Sequence, residues 1–144
     1  MDTKERILVS ACLLGVPCRY DGKSVPCEGL IRLAERAQLT PVCPEQLGGL
    51  PTPRVPAERR GDAVVTRDGQ DVTAQYRRGA EEALRLARLM GCTRAILKSK
   101  SPSCGCRVIY DGSFSGRLIP GEGLTAQLLR EHGIEVTDEA GWSE

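Results

Sequence analysis

Apolar residues follow two rhythms along this chain. Residues 6–12 carry the continuous run Ile7-Leu8-Val9, which predicts a buried strand. From residue 28 to 38 the apolar positions are Leu30, Ile31, Leu33, Ala34 and Ala37, the three-and-four spacing of a helix. Residues 39–43 predict a second strand. Pro41 confines it to a sheet edge or to a short stretch, because proline donates no ladder hydrogen bond. Residues 63–66 and 71–73 flank Arg67-Asp68-Gly69-Gln70 and predict a hairpin. A long helix is expected from Thr73, as its cap, to about Met90, with Gly91 ending it and Ala80, Ala83, Leu84, Ala87 and Met90 on its apolar stripe. Residues 94–98 predict a third strand, 125–132 a final helix closed by Gly133, and 134–137 a last strand.

Strands alternating with helices in this order describe an α/β protein. We expect a small three-layer, Rossmann-like domain over residues 1–144, with a mainly parallel sheet covered on both faces and a short hairpin insertion. In such sheets ligands sit beyond the carboxyl ends of the strands. Cys12 ends the first predicted strand, Cys43 ends the second, and Cys104 lies in the loop after the third. Far apart in sequence, the three are expected on one rim.

Composition narrows the function. The 144 residues are 40% hydrophobic and 27% charged, ordinary values for one folded domain. Net charge is +1 with no block of one sign, which argues against a duplex nucleic-acid or anionic membrane surface. Aromatics make up only 3%, which argues against stacking platforms for bases. No apolar run is long enough to span a membrane, and Met1-Asp2-Thr3-Lys4-Glu5-Arg6 does not read as a leader, so a cytoplasmic protein is expected. In a reducing compartment seven cysteines point to metal binding, catalysis or burial rather than to a disulfide framework. Cys27 and Cys92, beside helix ends, read as structural. A short echo, Tyr20-Asp21-Gly22 and Tyr110-Asp111-Gly112, reads as two similar turns.

The three rim loops are rich in Gly and Pro, residues that set unusual backbone geometry and allow close approach to a ligand. Cys-x-x-Cys pairs are absent, and the single His132 reads as a helix-end residue, so a four-ligand zinc site is not the natural reading unless Cys18, Cys27 or Cys106 completes it. Sulfur-only ligation suits an iron–sulfur cluster at least as well. A nucleophilic cysteine beside the lysines of the third loop and simple buried thiols stay open at this level.

Three motifs add to that reading. Val9-Ser10-Ala11-Cys12-Leu13-Leu14-Gly15 with Arg19-Tyr20-Asp21-Gly22, Pro41-Val42-Cys43-Pro44-Glu45 with Gly49-Leu50-Pro51-Thr52-Pro53-Arg54, and Leu97-Lys98-Ser99-Lys100-Ser101-Pro102-Ser103-Cys104-Gly105 resemble, in order and over nearly the whole chain, the thiouracil desulfurase family. The resemblance implies an oxygen-sensitive [4Fe–4S] cluster held by only three cysteines, which match Cys12, Cys43 and Cys104. It also implies non-redox removal of sulfur from 2-thiouracil or a related thiolated pyrimidine, giving uracil and sulfide, with the sulfur captured by the open iron. Glu45, two residues after Cys43, is the expected general acid/base, and Ser101 is expected to hydrogen-bond the pyrimidine or the attacking water. Ser103, Arg19 and Lys100 are expected substrate contacts, and Lys98 and Arg54 are further cations for the cluster or for an anionic group. Cys18 and Cys106 are the rivals for a fourth ligand. The competing classes are a metal-independent cysteine-based sulfur transferase and a non-catalytic metal-binding module. The expected partner is a small thiolated pyrimidine.

Overall fold

A computed structural model describes residues 4–144; Met1, Asp2 and Thr3, which entered the leader argument, lie outside the described residues. Four parallel strands, β1 (Glu5–Ser10), β2 (Ala37–Val42), β5 (Arg94–Leu97) and β8 (Glu135–Asp138), form a sheet in the order β2-β1-β5-β8. β2 is an edge, one of the two alternatives that Pro41 left open. Alternation along β1 sends Leu8 to one face and Ile7 and Val9 to the other. β5 does the same with Ala95 and Leu97 against Ile96. Helix α1 (Glu28–Leu33) covers the Ile7 face through Leu30 and Leu33. The opposite face is covered by α3 (Thr73–Leu89) through Ala83, Leu84 and Ala87, and by α4 (Leu124–Glu131) through Ala126 and Leu129. The expected three-layer α/β architecture is therefore present. Each large aliphatic side chain so buried contributes roughly 1.5–3 kcal/mol. Among the described residues no helix is long and apolar enough to cross a membrane.

Several sequence expectations shift. The first strand stops at Ser10, and Ala11–Leu14 form a 3-10 turn closed by Gly15 at φ 102, so Cys12 lies beyond the strand rather than at its end. The α1 helix ends at Leu33 because residues from Ala37 onward are already paired with β1. The expected hairpin is present but short: Asp71 makes an antiparallel bridge to Val65 and Val72 N donates to Val64 O, while the longer ladder of β4 (Ala63–Thr66) runs with β3 (Ala57–Arg60) on its other side. A second hairpin, β6 (Val108–Tyr110) with β7 (Leu118–Pro120), was not anticipated. Thr73 does not cap α3. Its Oγ1 instead accepts from Val64 N and donates to Asp71, tying the helix start to β4. Asp21 and Asp111 each accept the N–H two residues on, so the two Asp-Gly segments are indeed similar turns.

Candidate metal centre and active-site cleft

β1 and β5 are neighbours, and the helices that follow them turn to opposite faces of the sheet, which opens a crevice above their carboxyl ends. A cleft of about 500 Å³ lies there. Each loop that enters it is held from below. In the first loop, the Cys12 carbonyl accepts from Val25 N and the Leu13 carbonyl from Cys27 N. In the second, Cys43 stands at the N-terminus of the one-turn helix α2 (Pro44–Leu47), with Glu45 in that turn. α2 is pressed on α3 at two glycines: a Cβ on Gly48 would lie 2.0 Å from Gln75 O, and one on Gly79 2.0 Å from Pro44 O. In the third loop, the carbonyls of Pro102, Ser103 and Gly105 accept the N–H groups of Gly123, Leu124, Thr125 and Ala126. The free donors that begin α4 thereby clamp the segment carrying Cys104.

Cys12, Cys43 and Cys104 all line this cleft, together with Cys18. Cys106 does not: its Sγ lies 3.8 Å from Asp138 Oδ2. Cys27 starts α1, and Cys92 is buried in the core beneath α3. Contact with Cys18, burial and the Glu45 carboxylate push the Cys43 thiol far above its usual range. Burial, then Glu45, does the same to Cys104. Contact with Cys12 heads the causes that raise Cys18 to about 11. Among the described residues no three His, Cys, Asp or Glu side chains converge tightly enough for a single metal ion. A cluster of four irons is wider than one ion, and an all-sulfur donor set spread around a cleft fits that group better than it fits zinc.

Glu45 is the central carboxylate. Its Oε1 is 4.0 Å from Cys43 Sγ, and its Oε2 is 3.5 Å from Ser101 Oγ and 3.9 Å from the Arg54 guanidinium. Ser101 Oγ accepts the N–H groups of Ser103 and Cys104 at 3.0 and 3.1 Å, which leaves its own hydrogen to point at Glu45. Arg54 is a brace: it donates to the carbonyls of Cys18 and Pro51 and to Thr52 Oγ1, tying the second loop to the first. Lys98 is neutralised by Glu139 at 3.1 Å. Arg19 lines the cleft 4.0 Å from Asp21, and its guanidinium lies over the Tyr20 ring. Lys100 also lines it, at φ 71, with no side-chain hydrogen bond or ion pair among the described residues.

One expectation fails on position. Ser103, expected to touch substrate, does not line the cleft. It is 1% exposed, and its Oγ lies 2.8 Å from Thr125 Oγ1, so its hydroxyl serves the α4 clamp. Aromatic residues are scarce but not scattered. The chain has three Tyr, one Phe and one Trp, and all but Trp142 line this one cleft. Tyr110 and Phe114 arrive there because Glu58 accepts the N–H groups of Gly112 and Phe114, and Arg60 donates to Gly112 O. Tyr76, on α3, was missed altogether. It lies four residues before Ala80, on the same apolar stripe, and its packing hid its place at the cleft. Burial pushes its hydroxyl far above the usual range, so it remains a donor.

Known proteins resemble this chain over most of its length. A curated relative from Bacillus subtilis (strain 168), the uncharacterized protein YbbK, is 43% identical over 143 residues, covering 92% of this chain and 95% of its own. A solved structure, the [4Fe-4S]-dependent thiouracil desulfidase TudS, superposes with a TM-score of 0.91 at 53% identity, covering 95% of this chain and 92% of that one. The model of the 2-thiouracil desulfurase family matches residues 7–141. With its three cysteine-bearing loops gathered on one cleft, the chain belongs to the 2-thiouracil desulfurase family.

Proposed function

We propose that this protein is a [4Fe–4S]-dependent desulfurase that converts 2-thiouracil, or a related thiolated pyrimidine, into uracil and sulfide without net electron transfer. The observation that carries the reading is the meeting of Cys12, Cys43 and Cys104 with Glu45 and four of the chain's aromatic rings on one cleft. The description of the 53% identical solved relative supports it. Cys12, Cys43 and Cys104 would hold the cluster. When bound, it supplies an iron without a protein ligand, a soft Lewis acid suited to thiocarbonyl sulfur.

The chain's own residues supply binding and proton handling. Rings at the cleft suit a planar heterocycle, with flat faces for stacking. Water adds its oxygen to the ring carbon, and both its protons leave with the sulfur as sulfide. Glu45 takes the first proton on a carboxylate oxygen and later returns it, and Ser101, its hydrogen aimed at Glu45, orients the carboxylate and the water. Arg54 keeps Glu45 and the two loops in register. Lys100 and Arg19 remain at the mouth as contacts for the ligand's oxygen atoms.

The test is anaerobic reconstitution followed by assay. Wild-type protein should hold iron and acid-labile sulfide, appear brown, and release uracil and sulfide from 2-thiouracil in equal amounts. Cys12→Ala, Cys43→Ala and Cys104→Ala should each lose the cluster, while Cys18→Ser, Cys27→Ala, Cys92→Ala and Cys106→Ser retain it. Iron-loaded protein that leaves 2-thiouracil intact refutes the activity, and turnover without iron favours the cysteine-based transferase.

A further inference from the structure

Tyr76 has no part in the scheme above. It stands in the first turn of α3, lines the cleft, and is only 4% exposed. Its ring is packed with Val64 and Val72, with Leu50, Ala57 and Leu124 against them, so it has little freedom to turn. Buried tyrosine hydroxyls normally find a hydrogen-bond partner, and leaving one unpaired is costly. Among the described residues the Tyr76 hydroxyl has none, nor is it sealed off as a buried unpaired atom, which leaves the cleft as the place where it opens. Glu45, Arg54, Cys43 and Cys104 line the same cleft, and the turn of α3 that carries Tyr76 presses on α2, where Gly48 meets Gln75 O and Gly79 meets Pro44 O, so Tyr76 stands beside the segment that carries Glu45. Tyr20, in contrast, is 43% exposed.

We propose that the Tyr76 hydroxyl donates a hydrogen bond to the ring carbonyl oxygen that the pyrimidine keeps throughout the reaction, making this residue a specificity determinant for oxo-pyrimidines. The inference rests on the desulfurase reading. A phenol O–H is a neutral, fixed donor and a carbonyl oxygen a strong acceptor, whereas divalent sulfur accepts weakly. Such a contact distinguishes the oxygen-bearing end of a thiolated pyrimidine from its sulfur-bearing end and so sets which way round it binds. A site built to pair a ligand oxygen rejects the analogue lacking it, because the donor is left unpaired.

The test compares reconstituted wild type with Tyr76→Phe, which keeps the ring. Dissociation constants are measured for uracil and for 2-hydroxypyrimidine, which lacks the second ring oxygen; neither is consumed. Wild type should prefer uracil by roughly tenfold or more, and Tyr76→Phe should erase that preference by weakening uracil alone. Its iron content should match wild type, and with 2-thiouracil its KM should rise more than its kcat falls. Equal effects on both ligands, no effect on either, or reduced iron content overturn the role of Tyr76 and leave the desulfurase reading standing. Wild-type protein that neither binds uracil nor desulfurates 2-thiouracil overturns both.

Discussion

Gly79→Ala tests whether the contact between α2 and α3 positions the chemistry. A Cβ at residue 79 would lie 2.0 Å from Pro44 O and 2.8 Å from Pro44 C, where real Cβ contacts essentially never fall below 3.0 Å. The helix pair must therefore part by about 1 Å, the scale of shift expected from overpacking. The obstacle is backbone, so no side chain can swing aside. Overpacking of this kind costs roughly 1–3 kcal/mol. Replacing a mid-helix glycine with alanine returns about 0.8–1.0 kcal/mol of helix propensity, so the net loss of stability should be small, on the order of 0–2 kcal/mol. Function should suffer more, because α2 carries Glu45 and begins at Cys43. Misplacing a catalytic group by about 1 Å costs on the order of 10²-fold in rate. Urea unfolding, iron content and kcat/KM would be measured beside Arg78→Ala, an exposed change on the same helix. Full turnover with a stability gain of about 1 kcal/mol, the bare propensity value, would refute the reasoning.

Glu45→Gln should retain its iron and lose turnover by about 10²–10⁴-fold, the value of a positioned acid/base, and near-normal turnover would remove Glu45 from the mechanism. Ser103→Ala should lower stability by about 1–3 kcal/mol, because the buried Thr125 hydroxyl loses its partner, while turnover per iron stays normal. Ser101→Ala should lower both stability and turnover, since two loop N–H groups and Glu45 lose the same oxygen. Equal turnover for the two serine variants would show that Ser101 is structural.

Much of the site was legible because the sheet is parallel. Parallel strands deliver their carboxyl ends to one edge, so Cys12 and Cys43, just past β1 and β2, and Cys104, in the loop after β5, are carried to the same rim. The choice between neighbours was not legible. Ser101 and Ser103 are two residues apart in one loop. Ser101 faces Glu45, and Ser103 is turned inward to Thr125 by the α4 clamp. Cys18 and Cys106, equal rivals by spacing, separate in the same way: one lines the cleft, the other meets Asp138.

The sequence by itself determined the layers, because the alternation along β1 and β5 and the helical spacing in α1, α3 and α4 can bury their apolar faces in few ways. It also narrowed β2 to an edge or a short stretch, since Pro41 donates no ladder hydrogen bond, and the sheet topology settled on the edge. Tertiary structure alone decided the longer ladder of β4 with β3 and the gathering of Tyr20, Tyr76, Tyr110 and Phe114 around one cavity. It also decided how closely α2 sits on α3. The physical reason is range. Periodicity records how each segment meets water and core, whereas a hairpin partner, a ring at a cleft or a glycine under a carbonyl depends on atoms supplied by distant segments, which no local pattern encodes.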